Sequence, residues 1–242
     1  MDLNYSILEK FKFSRPPVGV KFLFDKPVDL PRLRAKRPFC MMLTEAHKGE
    51  AFYAGGEDHL CHGGFCLGED IPPYYASGRV VAEVGQVADA RAGREVYRTL
   101  PKLEKGTANY VAFAPLAKLS FDPDVMVFTG TIKQAEILLR ASTYTNGDLW
   151  TAQTSVVLGC AWLYVYPFVS GKVNYMIMGI NAGGMTAIKL LPVGLVLVSV
   201  PFQQLPTLVA NLRDMPWNHP RKPPENASKE SQDLMGDLAE FA

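Results

Sequence analysis

The stretch AFYAGGEDHLCHGG, residues 51–64, lies without a gap against GKVNYMIMGINAGG, residues 171–184. Each is a short apolar run of strand-forming residues entering a loop that ends in Gly-Gly. Cys40 stands 23 positions before Gly63, and Cys160 stands 23 before Gly183. Further on, VAFAPLAKL (111–119) resembles LVSVPFQQL (197–205), both strand-like runs that meet a proline. The parts therefore repeat in order: strand, connection, cysteine helix, strand, Gly-Gly loop, strand into proline. This predicts a single α/β domain over residues 1–213, built from two weakly related α/β halves at about 18–120 and 121–213. The halves would be an internal duplication with pseudo-twofold symmetry, sharing one sheet or a barrel-like core. Residues 70–106 form an insertion in the first half, and 214–242 a polar C-terminal tail.

Local signals fill in the elements. Residues 3–13 read as a short helix stopped by Pro16-Pro17, and 18–24 as a strand. The connection that follows carries Arg32, Arg34, Lys36 and Arg37, a charge run suited to a solvated face or an anion site. A helix over 39–48 ends at Gly49, a second covers 82–98, and strands follow at 111–115 and 125–128. Thr131 and Gln134 form a capping box ahead of a helix with Ile132, Ala135, Leu138 and Leu139 inward. Another helix is expected over 151–163, carrying Cys160, then strands at 173–178 and 195–200. A helix over 202–212 turns Leu205, Leu208, Val209 and Leu212 inward. The tail reads as extended, with a short amphipathic helix over 233–242 that would dock on its own domain or join a homo-oligomer.

Composition bounds the class. The 242 residues are 48% apolar and 20% charged, with a formal net charge of +1. That is ordinary globular composition with no field that would draw nucleic acid. Residues 155–169 and 190–202 are strongly apolar, but both fall short of the roughly 20 residues a bilayer requires. Pro167, Pro192, Gly194 and Pro201 interrupt them, so they read as buried core without membrane association. The charged N-terminus, MDLNYSILEKFKFSRPP, does not resemble a signal peptide. A cytoplasmic, reducing location follows, where four cysteines are thiols or ligands before they are disulfides.

The duplication places Cys40 and Cys160 at equivalent positions. Cys61 and Cys66, on the first Gly-Gly loop, have Asn181 and Thr186 as counterparts. A loop directed at the pseudo-twofold axis could gather all four sulfurs, which are soft ligands. Zinc knuckles space paired cysteines two to four residues apart, whereas these ligands are scattered over 120 positions, a pattern better suited to an iron–sulfur cluster of four-iron type. Gly63, Gly64, Gly183 and Gly184 would bring backbone N–H groups to that cofactor. A redox or electron-transfer role with a redox partner protein follows. Against this, Cys40 and Cys160 sit among apolar residues and fit core packing as small hydrophobes. Two other readings stand beside it: a thiol/disulfide switch at Cys61 and Cys66, and an anion- or small-molecule-binding module using the two Gly-Gly loops and Arg79. His62 is a further candidate ligand or acid, His47 and Glu45 lack metalloprotease spacing, and Tyr74 and Tyr75 could line a pocket. No Walker loop, G-x-G-x-x-G or G-x-S-x-G occurs, so nucleotide and acyl-transfer signatures are missing.

The chain also resembles the prokaryotic family called domain of unknown function 169. The likeness rests on RPPVGVKF at 15–22, the Cys40 helix, CHGGFCLG at 61–68, FDPDVMV at 121–127 followed by Gln134-Ala135, and Gly159-Cys160. It spans about residues 5–213. The family is common in anaerobic archaea and bacteria, which suits an oxygen-sensitive cluster, and the resemblance implies no activity of its own.

Overall fold

The computed structural model describes residues 4–180, 183–219 and 223–239. Six strands form one antiparallel sheet: β1 (Val18–Leu23), β2 (Phe52–Gly55), β3 (Tyr110–Pro115), β4 (Val125–Gly130), β5 (Asn174–Ile177) and β6 (Val196–Pro201). Their order across the sheet is β2-β3-β1-β4-β6-β5. β1 is central, with Val18 opposite Pro115 on one side and Val127 on the other. The fold is thus mixed α/β around a single open sheet.

Nine α-helices among the described residues accompany it: α1 (Phe39–His47), α2 (Pro73–Ala76), α3 (Arg79–Glu83), α4 (Ala90–Arg98), α5 (Ile132–Thr143), α6 (Tyr166–Ser170), α7 (Gly183–Ala187), α8 (Leu205–Asp214) and α9 (Lys229–Ala239). Strand residues alternate between two buried faces, as the pleat requires. Val18, Val20, Val111, Phe113, Val125 and Val127 pack with Phe39, Met42 and Leu43 of α1 and with residues 160–165. Met126, Phe128, Val196, Val198 and Val200 pack instead with α5, α8 and the 3-10 turn Ser6–Phe11. Burial on both faces explains why β4 and β6 read as continuous apolar runs. No helix among the described residues is long and apolar enough to cross a membrane.

The Thr131 capping box forms as expected: its hydroxyl accepts from Gln134 N–H at 3.3 Å, and Gln134 Oε1 accepts from Thr131 N–H at 2.8 Å. Ile132 is 67% exposed, however, and Ile137 and Ala141 take inward places that the periodicity did not give them. Leu205, Leu208, Val209 and Leu212 are all buried.

Two expected helices are shorter than read. The one over 82–98 breaks into α3 and α4, because Gly85 turns at a positive φ of 74° and Asp89 starts a fresh helix by accepting from Ala92 N–H at 2.8 Å. α3 and α4 then meet at Gly78 and Gly93: a Cβ on Gly78, itself at φ 78°, would lie 2.2 Å from the Ala90 carbonyl oxygen. The helix over 151–163 starts only at residue 159. Buried Asn174 holds the preceding chain extended, accepting from Gln153 N–H at 2.8 Å and donating to the Gln153 and Trp162 carbonyls. Leu158, at φ 51°, makes the corner.

The packed chain runs past residue 213. Trp217 lies 4.4 Å from Phe11, and Arg140 donates to the Pro216 carbonyl at 2.8 Å. In α9, Leu234 is 59% exposed.

His47 closes α1 against β4, with Nε2 3.3 Å from Thr129 Oγ1 and Nδ1 buried without a partner among the described residues. A histidine at a helix C-terminus ordinarily gains its proton more readily. Here burial wins, with the Arg15 charge adding to it, and the pKa falls to about 4. Below the unfolded value of 6.5, the unfolded chain takes up a proton that the fold refuses. The stability is therefore full above pH 6.5 and falls as pH drops toward 4, by about 1–3 kcal/mol from this group. Denaturant titrations between pH 4.5 and 7 should show a shallower pH slope for His47→Gln; an unchanged slope would remove His47 as the cause.

Candidate functional site

The chemistry-bearing residues lie on the face of the sheet covered by α1. Cys40 is the second residue of α1, and Cys160 is the N-cap of a π turn, Ala161–Val165, that leads into α6. Such single π turns concentrate at functional sites. Cys61 and Cys66 come from beyond β2, and Cys66 lies in a 3-10 turn, His62–Leu67, that touches both α1 and the π turn. This segment was expected to be a polar loop, yet Gly63 to Leu67 are buried.

The four thiols interact. Cys66 and Cys160 lie close enough for one thiol to act on the other, and the Phe39 N–H donates to Cys61 Sγ at 3.2 Å. Cys40 lies close enough to Cys160 and Cys61 for their charges to act on it, and Cys61 close enough to Cys160. All four are free; Cys66 and Cys160 are buried, Cys40 and Cys61 half-buried. The convergence links elements of both halves of the sequence.

Two electrostatic effects oppose each other here. Burial pushes the Cys40 and Cys61 thiols up, and the neighbouring sulfurs add to this. For Cys160 the neighbouring Cys66 thiol is the largest cause, ahead of burial. Left alone, these groups stay neutral. Yet nearby backbone N–H groups work in the other direction and lower all three, that of Phe39 by donating to Cys61 Sγ. Neither α1 nor the π turn has a side-chain cap; the Met41 and Ala161 N–H groups donate to the Pro38 and Leu158 carbonyls, and the Phe39 N–H is left to the Cys61 sulfur. A cationic centre bound to thiolates would gain from both arrangements.

Tyr164, four residues after Cys160, is wholly buried, with its ring 5.0 Å from Phe39 and 5.5 Å from Phe113, edge-on to both. Its hydroxyl has no hydrogen-bond partner among the described residues. Burial, then Cys40, Cys160 and Cys61, hold the phenol protonated. A buried hydroxyl without a partner costs about 1–3 kcal/mol, so packing alone leaves it unexplained. Both ring nitrogens of His59 are likewise buried without a partner among the described residues, with the ring 5.1 Å from Phe39. Sequence reasoning missed Tyr164. Its signal was the spacing of four from Cys160 in LGCAWLYVY, which puts both on one helical face.

Over residues 6–211 the chain matches the model of the domain of unknown function 169 family, described as uncharacterised ArCR. The chain belongs to this family. It is also similar to the uncharacterised protein MJ0308 of Methanocaldococcus jannaschii, 28% identical over 182 residues that cover 72% of this chain and 78% of that one. No solved structure was found to match the chain. The match to domain of unknown function 169 takes in all four cysteines and Tyr164.

The remaining expected site residues of this family member are distributed as follows. Gly63 and Gly64 sit beside the thiols, but each has a packing neighbour: a Cβ would meet Phe39 Cβ at 2.4 Å and Glu69 Oε2 at 2.2 Å, respectively. Gly183 and Gly184 open the five-residue α7, and Asn181 lies outside the described residues. Thr186, the counterpart of Cys66, has a buried hydroxyl without a partner among the described residues. Tyr75 hydrogen-bonds to His62, and Arg79 pairs with Glu83 at 3.3 Å beside Tyr74. Arg32 pairs with Asp58 and Glu57, and Arg37 with Glu45, so half of that charge run is neutralised locally. Arg34 beside them lines a pocket of about 260 Å³ with Glu45 and Glu50. A groove of about 650 Å³ opens by α5 and α8 at Trp150, Lys172 and Gln204. Among the described residues, no three His, Cys, Asp or Glu side chains are disposed as ligands of a single metal ion.

Proposed function

We propose that this protein binds an iron–sulfur cluster of four-iron type through Cys40, Cys61, Cys66 and Cys160 and serves a redox or electron-transfer role. The observation that carries this reading is that Cys40, Cys61 and Cys160 act on one buried hydroxyl that has no partner among the described residues, while Cys66 acts on Cys160. Core packing accounts for a buried thiol one at a time. It gives no reason for thiols from three separate segments, α1, the turn after β2 and the π turn, to act on one another. The donor set is the soft one that iron–sulfur clusters take, and the cluster would supply one-electron chemistry when bound. A polynuclear centre also spreads its ligands over several metal atoms, so it does not require them to close on one point as a single ion does.

The duplicated architecture belongs to the same proposal. It is supported by the strand order, in which β2-β3-β1 and β5-β6-β4 run inward from opposite edges. In that reading α1 and the π turn are equivalent elements flanking a pseudo-twofold axis. One copy keeps Asn181 and Thr186 where the other holds Cys61 and Cys66. A cytoplasmic setting with a redox partner protein, and self-association through the tail, complete the proposal.

Protein purified without oxygen and reconstituted with ferrous iron and sulfide should bind about four iron atoms per chain and turn brown. Colourless, iron-free protein under those conditions would end the cluster reading. A second reading is the thiol switch at Cys61 and Cys66, with Cys160 as a further candidate partner because Cys66 has the largest influence on its thiol. Oxidation there would pass two electrons and two protons to a small disulfide. Thiol counts that do not change on treatment with oxidised glutathione would remove it.

A further inference from the structure

We propose that the Tyr164 hydroxyl donates a hydrogen bond to a sulfur of the bound cluster and thereby sets its reduction potential. The inference rests on the cluster reading above. Three features of the side chain carry it. The ring is fixed edge-on by Phe39 and Phe113, so the hydroxyl has little freedom to seek a partner elsewhere. The residue is wholly buried, its hydroxyl bonds to nothing among the described residues, and it lies near enough to Cys40, Cys160 and Cys61 for their charges to bear on it. Lastly, the contrast with α1 is informative: Thr44, four residues after Cys40, satisfies its hydroxyl on its own helix by donating to the Met41 carbonyl at 2.8 Å. A phenol oxygen stands too far from its own backbone to do the same.

Buried hydroxyls are almost always paired, and the ionisable groups that bear on this one are the thiols of Cys40, Cys160 and Cys61. A neutral phenol can donate but is a poor acceptor from thiols. Cluster sulfides and metal-bound thiolates carry more negative charge than thiols and accept more strongly. Reduction adds one negative charge to the cluster, so a donor aimed at its sulfurs stabilises the reduced state more than the oxidised one. Loss of the donor must then make the potential more negative.

The test compares wild type with Tyr164→Phe, which keeps the ring and removes only the hydroxyl. Both are reconstituted without oxygen, assayed for iron and sulfide, and titrated spectroelectrochemically. The expected result is equal iron content, with the reduction equilibrium of the variant shifted at least tenfold toward the oxidised form, 59 mV for one electron. Equal iron content with an unmoved midpoint overturns the donor role and leaves the cluster reading standing. Wild type that takes up no iron overturns the cluster reading and this inference with it. The metal-free proteins give a separate check. Tyr164→Phe should melt at or above the wild-type temperature, since it loses an unpaired group. A clear drop shows that the hydroxyl already has a partner in the protein, which also overturns the proposal.

Discussion

Gly63→Ala is expected to lose about 2–3 kcal/mol of stability, roughly 5–10 °C in melting temperature. A Cβ built at this position falls 2.4 Å from Phe39 Cβ and 3.1 Å from two further atoms of that side chain. Phe39 is wholly buried, stacks edge-on with Phe113 and Tyr164, and holds Cys61 through its N–H. Neither partner can yield at a flexible tip, so α1 and the 3-10 turn must move apart. Gly64→Ala is the matched control. Its Cβ would meet the carboxylate of Glu69, the far end of an exposed flexible chain that can swing into solvent. That variant should cost less than about 1 kcal/mol. Equal losses for the two alanines would show that Phe39 does not limit the approach. The Gly63 variant should also shift Cys61 relative to Cys40, so iron uptake ought to fall with it.

The sheet was legible because its strands carry period-2 or wholly apolar patterns bounded by proline and glycine, and all six strands lie where those patterns put them. α5 and α8 were legible from local chemistry, a capping box in one and a clean 3.6-residue stripe in the other. The failures share a physical cause. Val84 to Val87 is helix-compatible residue by residue, but Gly85 and the Asp89 cap stop one helix and start another. Residues 151–157 are helix-compatible too, yet the amide of Asn174, 21 positions beyond Gln153, holds that segment extended. A tertiary hydrogen bond of that kind leaves no periodic trace.

The site was half legible. Cys40 and Cys160 were linked by their equal spacing to the Gly-Gly pairs, and the thiols of both halves do interact. The loop glycines were read as cofactor-facing because glycine admits close approach. Gly63 does admit one, but the neighbour is the Phe39 side chain. Tyr164 was invisible because an orphaned hydroxyl is defined by what surrounds it in space. Only the i, i+4 relation to Cys160 pointed there, and that relation is common in any apolar helix.

Cys160→Ala should have the largest functional effect. Reconstituted protein is expected to retain less than about a tenth of the wild-type iron, because one thiolate of four is gone and its loss exposes a metal position to solvent. Stability without metal should fall much less, by about 1–2 kcal/mol, from the lost contacts of a small buried side chain and its interaction with Cys66. The two magnitudes separate the readings. If Cys160 is core packing, the variant changes stability and leaves iron binding where it was. If Cys160 is a ligand, metal-free stability changes modestly and the cluster is lost. Cys66→Ala should match it in both respects, and the stability losses of the double variant should be less than additive, since the two thiols share one interaction. Iron content in Cys160→Ala equal to wild type would remove Cys160 from the ligand set. It would then leave three thiols and the π turn to be explained by packing, which accounts for the burial of Cys66 but not for the Tyr164 hydroxyl, buried without a partner among the described residues.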